Sequence, residues 1–183
     1  MTGTAGDDPI DLRTLDLESG AAVDLTVPLT PIVLRLGGQE YRLADAETAA
    51  LNVSRSSAGL YLRLRVAGAL SGPCWRCLED AAAPIAVDAR EFAADGRDPA
   101  APFDEDLDSA YVEDERVDVA LWVRDAVAEA VPPRILCRDD CAGLCPTCGA
   151  DLNVTTCTCA PGGGDPRWEA LREIADEMGI GDG

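Results

Sequence analysis

Leu60-Tyr61-Leu62-Arg63-Leu64-Arg65-Val66 alternates apolar and polar side chains without a break. Successive side chains of an extended chain point to opposite faces. Leu60, Leu62, Leu64 and Val66 therefore share one face, and Tyr61, Arg63 and Arg65 share the other. The segment Ser71-Gly72-Pro73-Cys74-Trp75-Arg76-Cys77 then reverses the chain, and residues 83–92 return as a second strand. This stretch predicts a long β-hairpin with a cysteine pair at its tip, and a fold built on an antiparallel sheet.

Working toward the N-terminus, Val23, Leu25 and Val27 alternate with polar residues, and Ile32 to Leu36 follows beyond Pro31. Gly37-Gly38 reads as a turn, and Glu40 to Leu43 as a short strand. Residues 1–20 are expected to be a loosely docked lead-in, to which Leu12, Leu15 and Leu17 can add a short edge strand. Toward the C-terminus, residues 94–108 carry six Asp and Glu residues and read as a solvated acidic loop. Asp118 to Val131 reads as an amphipathic helix. Asp118 serves as its N-cap, and Val119, Trp122, Val123, Ala126, Val127 and Ala130 form one apolar stripe that places Trp122 in the core. Pro132-Pro133 ends it. A cysteine-rich segment spans residues 137–159, Gly162-Gly163-Gly164 forms a joint, and a last helix is expected from Pro166 to about Met178 behind an Asp165 cap. The fold class expected is α+β: an antiparallel sheet with a long hairpin, one packed helix, a cysteine-rich zinc module and a terminal helix. The boundaries expected are 1–20 for the lead-in, 21–135 for sheet and helix, 136–160 for the zinc module and 161–183 for linker and terminal helix.

Composition narrows the function. Of 183 residues, 47% are hydrophobic but only 4% aromatic, so the core relies on Leu, Val, Ile and Ala. The formal charge of -19 repels phosphate backbones and favours basic protein partners. The chain has no histidine, which removes Ser-His-Asp and Cys-His catalysis and restricts any metal site to Cys, Asp or Glu. Neither a basic start followed by an apolar run nor a stretch of about 18 apolar residues is present, so no leader, membrane span or membrane partner is expected, and the expected location is the cytoplasm. No nucleophile–base pair or phosphate loop points to an enzyme or to a small-molecule substrate.

The eight cysteines come as four pairs: Cys74 and Cys77, Cys137 and Cys141, Cys145 and Cys148, Cys157 and Cys159. A two-residue gap lets one tight turn aim two sulfurs at a single ion, and two such pairs complete a tetrahedral zinc site. Cys145-Pro146-Thr147-Cys148-Gly149 is the strongest such signal, because a glycine after the second cysteine tolerates positive φ. The pairing read from spacing puts Cys74, Cys77, Cys137 and Cys141 in site 1 and Cys145, Cys148, Cys157 and Cys159 in site 2, giving two zinc ions. An alternative gathers Cys137, Cys141, Cys145 and Cys148. Disulfides require an oxidising compartment. A thioredoxin-like redox role for Cys74 and Cys77 requires a helix after the pair, where a strand is expected instead. An iron–sulfur cluster also takes four thiolates, but paired knuckles suit zinc. A four-thiolate zinc site has no open coordination position and is structural.

Cys74-Trp75-Arg76-Cys77-Leu78-Glu79 resembles the Cys-x-Arg-Cys-Leu signature of the bacterial YceD family. The stretch from Val119 through Pro132-Pro133 to Leu136-Cys137-Arg138-Asp139-Asp140-Cys141-Ala142-Gly143-Leu144-Cys145-Pro146-Thr147-Cys148-Gly149 is similar to the family's second block. Asp151-Leu152-Asn153, Cys157-Thr158-Cys159 and Asp165-Pro166-Arg167-Trp168 are similar to its third. The Asp- and Ala-rich text resembles that of an actinobacterial member. The resemblance implies a non-enzymatic role in accumulation of large-subunit (23S) ribosomal RNA and assembly of the 50S subunit, with a ribosomal protein or rRNA-processing factor as partner. Any direct RNA contact is expected to be local, at Arg134 and Arg138 beside the zinc module or at Arg63 and Arg65 on the hairpin. The competing reading is a zinc-stabilised protein–protein adaptor unrelated to the ribosome.

Overall fold

The computed structural model describes residues 8–94 and 109–159, together with residues 171 and 174. Its elements are β1 (Ile10–Asp11), a 3-10 turn (Leu12–Leu15), β2 (Ala22–Pro28), β3 (Ile32–Leu36), β4 (Gln39–Ala44), β5 (Thr48–Arg55), β6 (Gly59–Pro73), β7 (Asp80–Ala94), β8 (Val112–Glu113), β9 (Arg116–Val117) and α1 (Val119–Ala130).

β6 is the spine. It pairs β7 antiparallel along its whole length, from Gly59 opposite Ala94 to Pro73 opposite Asp80. Its other edge is shared. β5 takes the first half, from Leu60 opposite Arg55 to Arg65 opposite Ala50, and β4 takes the second, from Ala69 opposite Ala44 to Ser71 opposite Arg42. β2 continues the sheet beyond β5, and β3 beyond β4. Between the two partners lies Gly68, where a Cβ would stand 2.6 Å from the Ala44 carbonyl oxygen. The fork therefore requires a residue without a side chain.

The alternation in β6 sorts faces as the sequence implies: Leu60, Leu62, Leu64, Val66 and Leu70 are buried, and Tyr61 and Arg65 are exposed. Each such burial contributes roughly 1.5–3 kcal/mol. α1 packs on β7 and β3. Its buried stripe is Val119, Trp122, Val123, Ala126 and Val127, and Ala130 is only partly covered. The Asp118 carboxylate accepts the Leu121 N–H at 2.9 Å and caps the helix. Tyr111 stacks on Trp122 at 5.8 Å between ring centroids.

Three findings depart from the sequence reading. The hairpin strands run well past Val66 and to either side of 83–92, because their Ala and Gly positions extend the ladder without an apolar rhythm. β5 was not expected at all, yet Ala49, Leu51 and Val53 are fully buried; two small or polar neighbours at each step hide its period. The lead-in is docked from Ile10 onward, but not by a strand across Leu12–Leu17. Ile10 and Asp11 pair with Val117 and Arg116. The Asp11 carboxylate then accepts the Arg13 N–H at 3.1 Å, which turns the chain into the 3-10 segment and buries Leu12. Most of the acidic loop, 95–108, lies outside the described residues. So does most of the terminal helix, of which Leu171 and Ile174 are helical and about half exposed. Among the described residues no helix is long and apolar enough to cross a membrane.

Candidate metal centres

Two cysteine turns share one backbone design. In the first, at the hairpin tip, the Cys74 N–H donates to the Glu79 carbonyl at 2.7 Å and the Leu78 N–H to the Cys74 carbonyl at 3.0 Å. In the second, the Cys145 N–H donates to the Ala150 carbonyl at 2.8 Å and the Gly149 N–H to the Cys145 carbonyl at 2.8 Å. The residue after the second cysteine is left-handed in both, with φ 65° at Leu78 and 73° at Gly149. Glycine takes that conformation freely, while an L-residue there costs roughly 1–2 kcal/mol. The Arg76 N–H points back at the Cys74 sulfur, at 3.5 Å.

The sulfurs of Cys74, Cys77, Cys137 and Cys141 lie within 4.8 Å of one another, and those of Cys145, Cys148, Cys157 and Cys159 do the same. The grouping of Cys137 and Cys141 with Cys145 and Cys148 is therefore not the arrangement seen. Cys74 Sγ stands 3.9 Å from Cys141 Sγ, and Cys77 Sγ 3.6 Å from Cys137 Sγ. Four sulfurs about 2.3 Å from a shared ion have tetrahedral edges of about 3.8 Å, whereas a disulfide needs about 2.05 Å. The spacing and the all-thiol donor set fit a shared divalent metal ion at each cluster. With four thiolates on one ion, no position is left for water or substrate.

The clusters differ in setting. Cys74, Cys77 and Cys141 are buried in the first, whereas only Cys145 is buried in the second. The first is assembled over a long sequence span by backbone clasps. The Trp75 N–H donates to the Ile135 carbonyl at 2.7 Å and the Leu144 N–H to the Arg76 carbonyl at 3.0 Å. The Arg76 guanidinium donates to the Cys141 carbonyl at 2.7 Å and the Asp139 carbonyl at 3.4 Å. Gly143, at φ 77°, fits against this latch, where a Cβ would stand 3.0 Å from the Arg76 oxygen. The second cluster is local, framed by the Leu144–Asp151 bridge.

Asn153 joins the two, and the sequence reading gave it no role. It lies between the cysteines of the second cluster, yet its amide nitrogen donates to Cys141 Sγ at 3.5 Å and to Asp151 Oδ1 at 2.7 Å. Its amide oxygen accepts the Ala142 N–H at 2.8 Å and Arg138 Nη2 at 2.7 Å. A buried sulfur with an amide donor beside it was not visible from spacing; an Asp-x-Asn step between cysteine pairs is the only trace.

The thiol pKa values separate within each cluster. Burial pushes Cys74 up, but the backbone N–H groups of Cys77, Cys137 and Arg76 outweigh it and bring the thiol down to about 6. The N–H groups of Cys148 and Thr147 bring Cys145 down to about 6 in the same way. At Cys77 the Glu79 N–H pulls down, yet burial and the sulfurs of Cys74, Cys141 and Cys137 push the thiol up to about 12. The Cys148 sulfur, with burial, pushes Cys159 up to about 12. Burial and the Cys141 sulfur raise Cys137. Each turn thus stabilises one thiolate with backbone dipoles, and that charge opposes the next. A cation in the cluster removes the opposition.

The four arginines singled out do not converge. Arg63 lies on the open sheet face and grips the Asp88 carboxylate through Nε at 2.7 Å, with Arg65 exposed on the same face. Arg134 stands over the Trp75 ring at 5.8 Å, and Arg138 pairs with Asp140 at 3.1 Å.

The family model described as Large ribosomal RNA subunit accumulation protein YceD matches residues 62–175, a span that holds both clusters and α1. The chain belongs to the YceD family. Uncharacterized proteins of Mycobacterium tuberculosis and Mycobacterium bovis are 33% identical to it over 128 residues, 68% of this chain and 59% of each relative. The chain thus spans less than two thirds of the length of these relatives, whose source is compatible with the actinobacterial character of the text. The Zea mays protein named Large ribosomal RNA subunit accumulation protein YCED homolog 1, chloroplastic, is 41% identical over 49 residues, 26% of this chain and 17% of that protein. No solved structure matches.

Proposed function

We propose that this chain is a non-enzymatic zinc protein of ribosome biogenesis, supporting accumulation of 23S rRNA and assembly of the 50S subunit in the cytoplasm. The observation that carries the reading is the YceD family match across all eight cysteines. Each cluster takes one zinc ion, with Cys74, Cys77, Cys137 and Cys141 as ligands of one and Cys145, Cys148, Cys157 and Cys159 of the other. Zinc suits closed four-thiolate sets, and a reducing compartment keeps such thiols available. The role of the first ion is to hold residues 136–160, as a module, onto the sheet-and-helix body of residues 21–135, and that of the second is to close the module on itself. The formal charge of -19 favours a basic protein of the particle over a broad face of RNA. Arg63, Arg65, Arg134 and Arg138 then supply at most local RNA contacts.

Gradient sedimentation tests the reading. Tagged chain should travel with large-subunit precursors, zinc-stripped chain should not, and depletion should lower 23S relative to 16S rRNA. Recovery with transcription proteins and no ribosomal precursor would favour the adaptor reading instead.

A further inference from the structure

The two cysteine turns solve one backbone problem with different side chains. The second does so with Pro146, Thr147 and Gly149, which is what the hydrogen bonds and the left-handed position require. The first carries Trp75, Arg76 and Leu78 at the equivalent places. Arg76 has a structural use, since it latches the module. Trp75 and Leu78 have none that the turn explains: they are 63% and 61% exposed, and Leu78 holds a left-handed φ that glycine would take without strain. Strain that buys no packing marks a place kept for a contact outside the fold. Trp and Arg are the residue types enriched among the anchors of protein interfaces, and Leu78 adds apolar area beside them.

Charge selects the partner. The two segments that meet at the tip, residues 74–80 and 134–141, carry exposed Glu79, Asp80, Asp139 and Asp140 against Arg76, Arg134 and Arg138. Arg76 is committed to two carbonyls and Arg138 to Asp140. Four thiolates on one divalent ion would add a further net charge of about -2 at the turn that carries Trp75. The Trp75 ring already takes one guanidinium, from Arg134, so its π surface accepts cations. A groove of about 740 Å³ borders the tip through Pro73, Asp80 and Cys137, and on its wall Glu40 is paired with Arg42, which leaves Asp80 as the carboxylate beside the tip.

We propose that the hairpin tip, with Trp75 and Leu78 as anchors, is the docking site for a basic protein segment that carries an apolar side chain among its lysines or arginines. This rests on the metal-loaded reading above and adds the place at which its basic partner would dock.

The test is an NMR titration of the full, zinc-loaded chain, with the Trp75 indole N–H assigned through Trp75→Ala. The probes are a 12-residue peptide of lysine and leucine, the same length of lysine and serine, a glutamate–leucine peptide and a 12-nucleotide single-stranded RNA. The lysine–leucine peptide should shift the Trp75 indole and the Leu78 amide. Trp75→Ala and Leu78→Gly should each weaken it on the order of tenfold, while native mass spectrometry shows the wild-type zinc count. The lysine–serine and glutamate–leucine peptides should bind at least that much more weakly. The proposal is overturned if the lysine–leucine peptide binds equally well to the Trp75→Ala chain, if RNA rather than peptide shifts the indole, or if the free chain's own residues 160–183 already cover Trp75. If Trp75→Ala chain keeps its place on ribosomal precursors and wild type shows no peptide binding, the docking site fails and the assembly role stands. If wild-type chain never meets the precursors but the peptide binds through Trp75, the reverse holds.

Discussion

Cys74 and Cys77 close a hairpin whose strands are 15 residues each, whereas Cys145 and Cys148 close a loop framed by a single bridge pair. The backbone of the two turns is the same, so what differs is what each cluster is fastened to. Three buried sulfurs tie the sheet to a segment some sixty residues on. The second set, with one buried sulfur, ties the module only to itself. A metal ion in the first cluster therefore acts on the whole fold, and one in the second acts on its own loop.

The largest effect should come from breaking this asymmetry by ligand removal. Structural zinc contributes on the order of 10 kcal/mol in small zinc modules. Cys77→Ser should lose one ion and lower the main unfolding transition steeply, while Cys148→Ser should lose one ion and leave the sheet's transition nearly in place. Calorimetry with native mass spectrometry reads both; equal losses of melting temperature would remove the distinction.

Acid should separate the clusters next. Cys77 and Cys159, held up to about 12, keep protons in metal-free chain at neutral pH, so metal binding releases protons and affinity falls as pH falls. Below about pH 6 the fall steepens, because Cys74 and Cys145 then also take up protons. With a chromophoric chelator present, zinc from the exposed cluster should appear first on acidification. Simultaneous release would mean that burial does not protect the other.

Asn153→Ala probes the link between them. It removes an amide donor from Cys141 and an acceptor from Ala142, worth about 1–3 kcal/mol in sum. Chelator resistance should drop at the first cluster although the change lies in the second module. An effect confined to the second would show that the contact carries no coupling. The smallest expected effects exchange the left-handed residues. Leu78→Gly should stabilise by about 1 kcal/mol and Gly149→Leu destabilise by roughly 1–2 kcal/mol, read from denaturant midpoints.

Much of this was legible in the sequence where a period or a pair announces itself. Leu60 to Val66, the helix behind Asp118 and the four cysteine pairs each carry a local rule. What stayed hidden is whatever depends on a distant partner. β5 spells its buried face with Ala49, Leu51 and Val53 among residues too small and polar to stand out. Asn153 has meaning only once Cys141 is brought beside it. Spacing suggested which cysteines share a cluster, but it also allowed Cys137 and Cys141 to join Cys145 and Cys148; the clasp of Trp75 and Arg76 on Ile135 and Leu144 decides between them, and it is a tertiary fact. Trp75 is read as part of a motif in the chain and as an exposed ring only in the fold.

β7 has a further consequence. Ala81, Ala82, Ala83, Ala86, Ala89, Ala93 and Ala94 make one rung of this strand much like the next, so apolar contacts alone discriminate poorly against slippage by two residues. The knuckle removes that freedom, because the Cys74–Glu79 and Leu78–Cys74 bonds admit one closure only, and every rung behind it inherits that alignment. An ion captured early would thus serve folding as a zipper stop. Chain refolded without metal should form mispaired strands that later addition of zinc repairs slowly, while chain refolded with zinc should reach a single set of amide resonances.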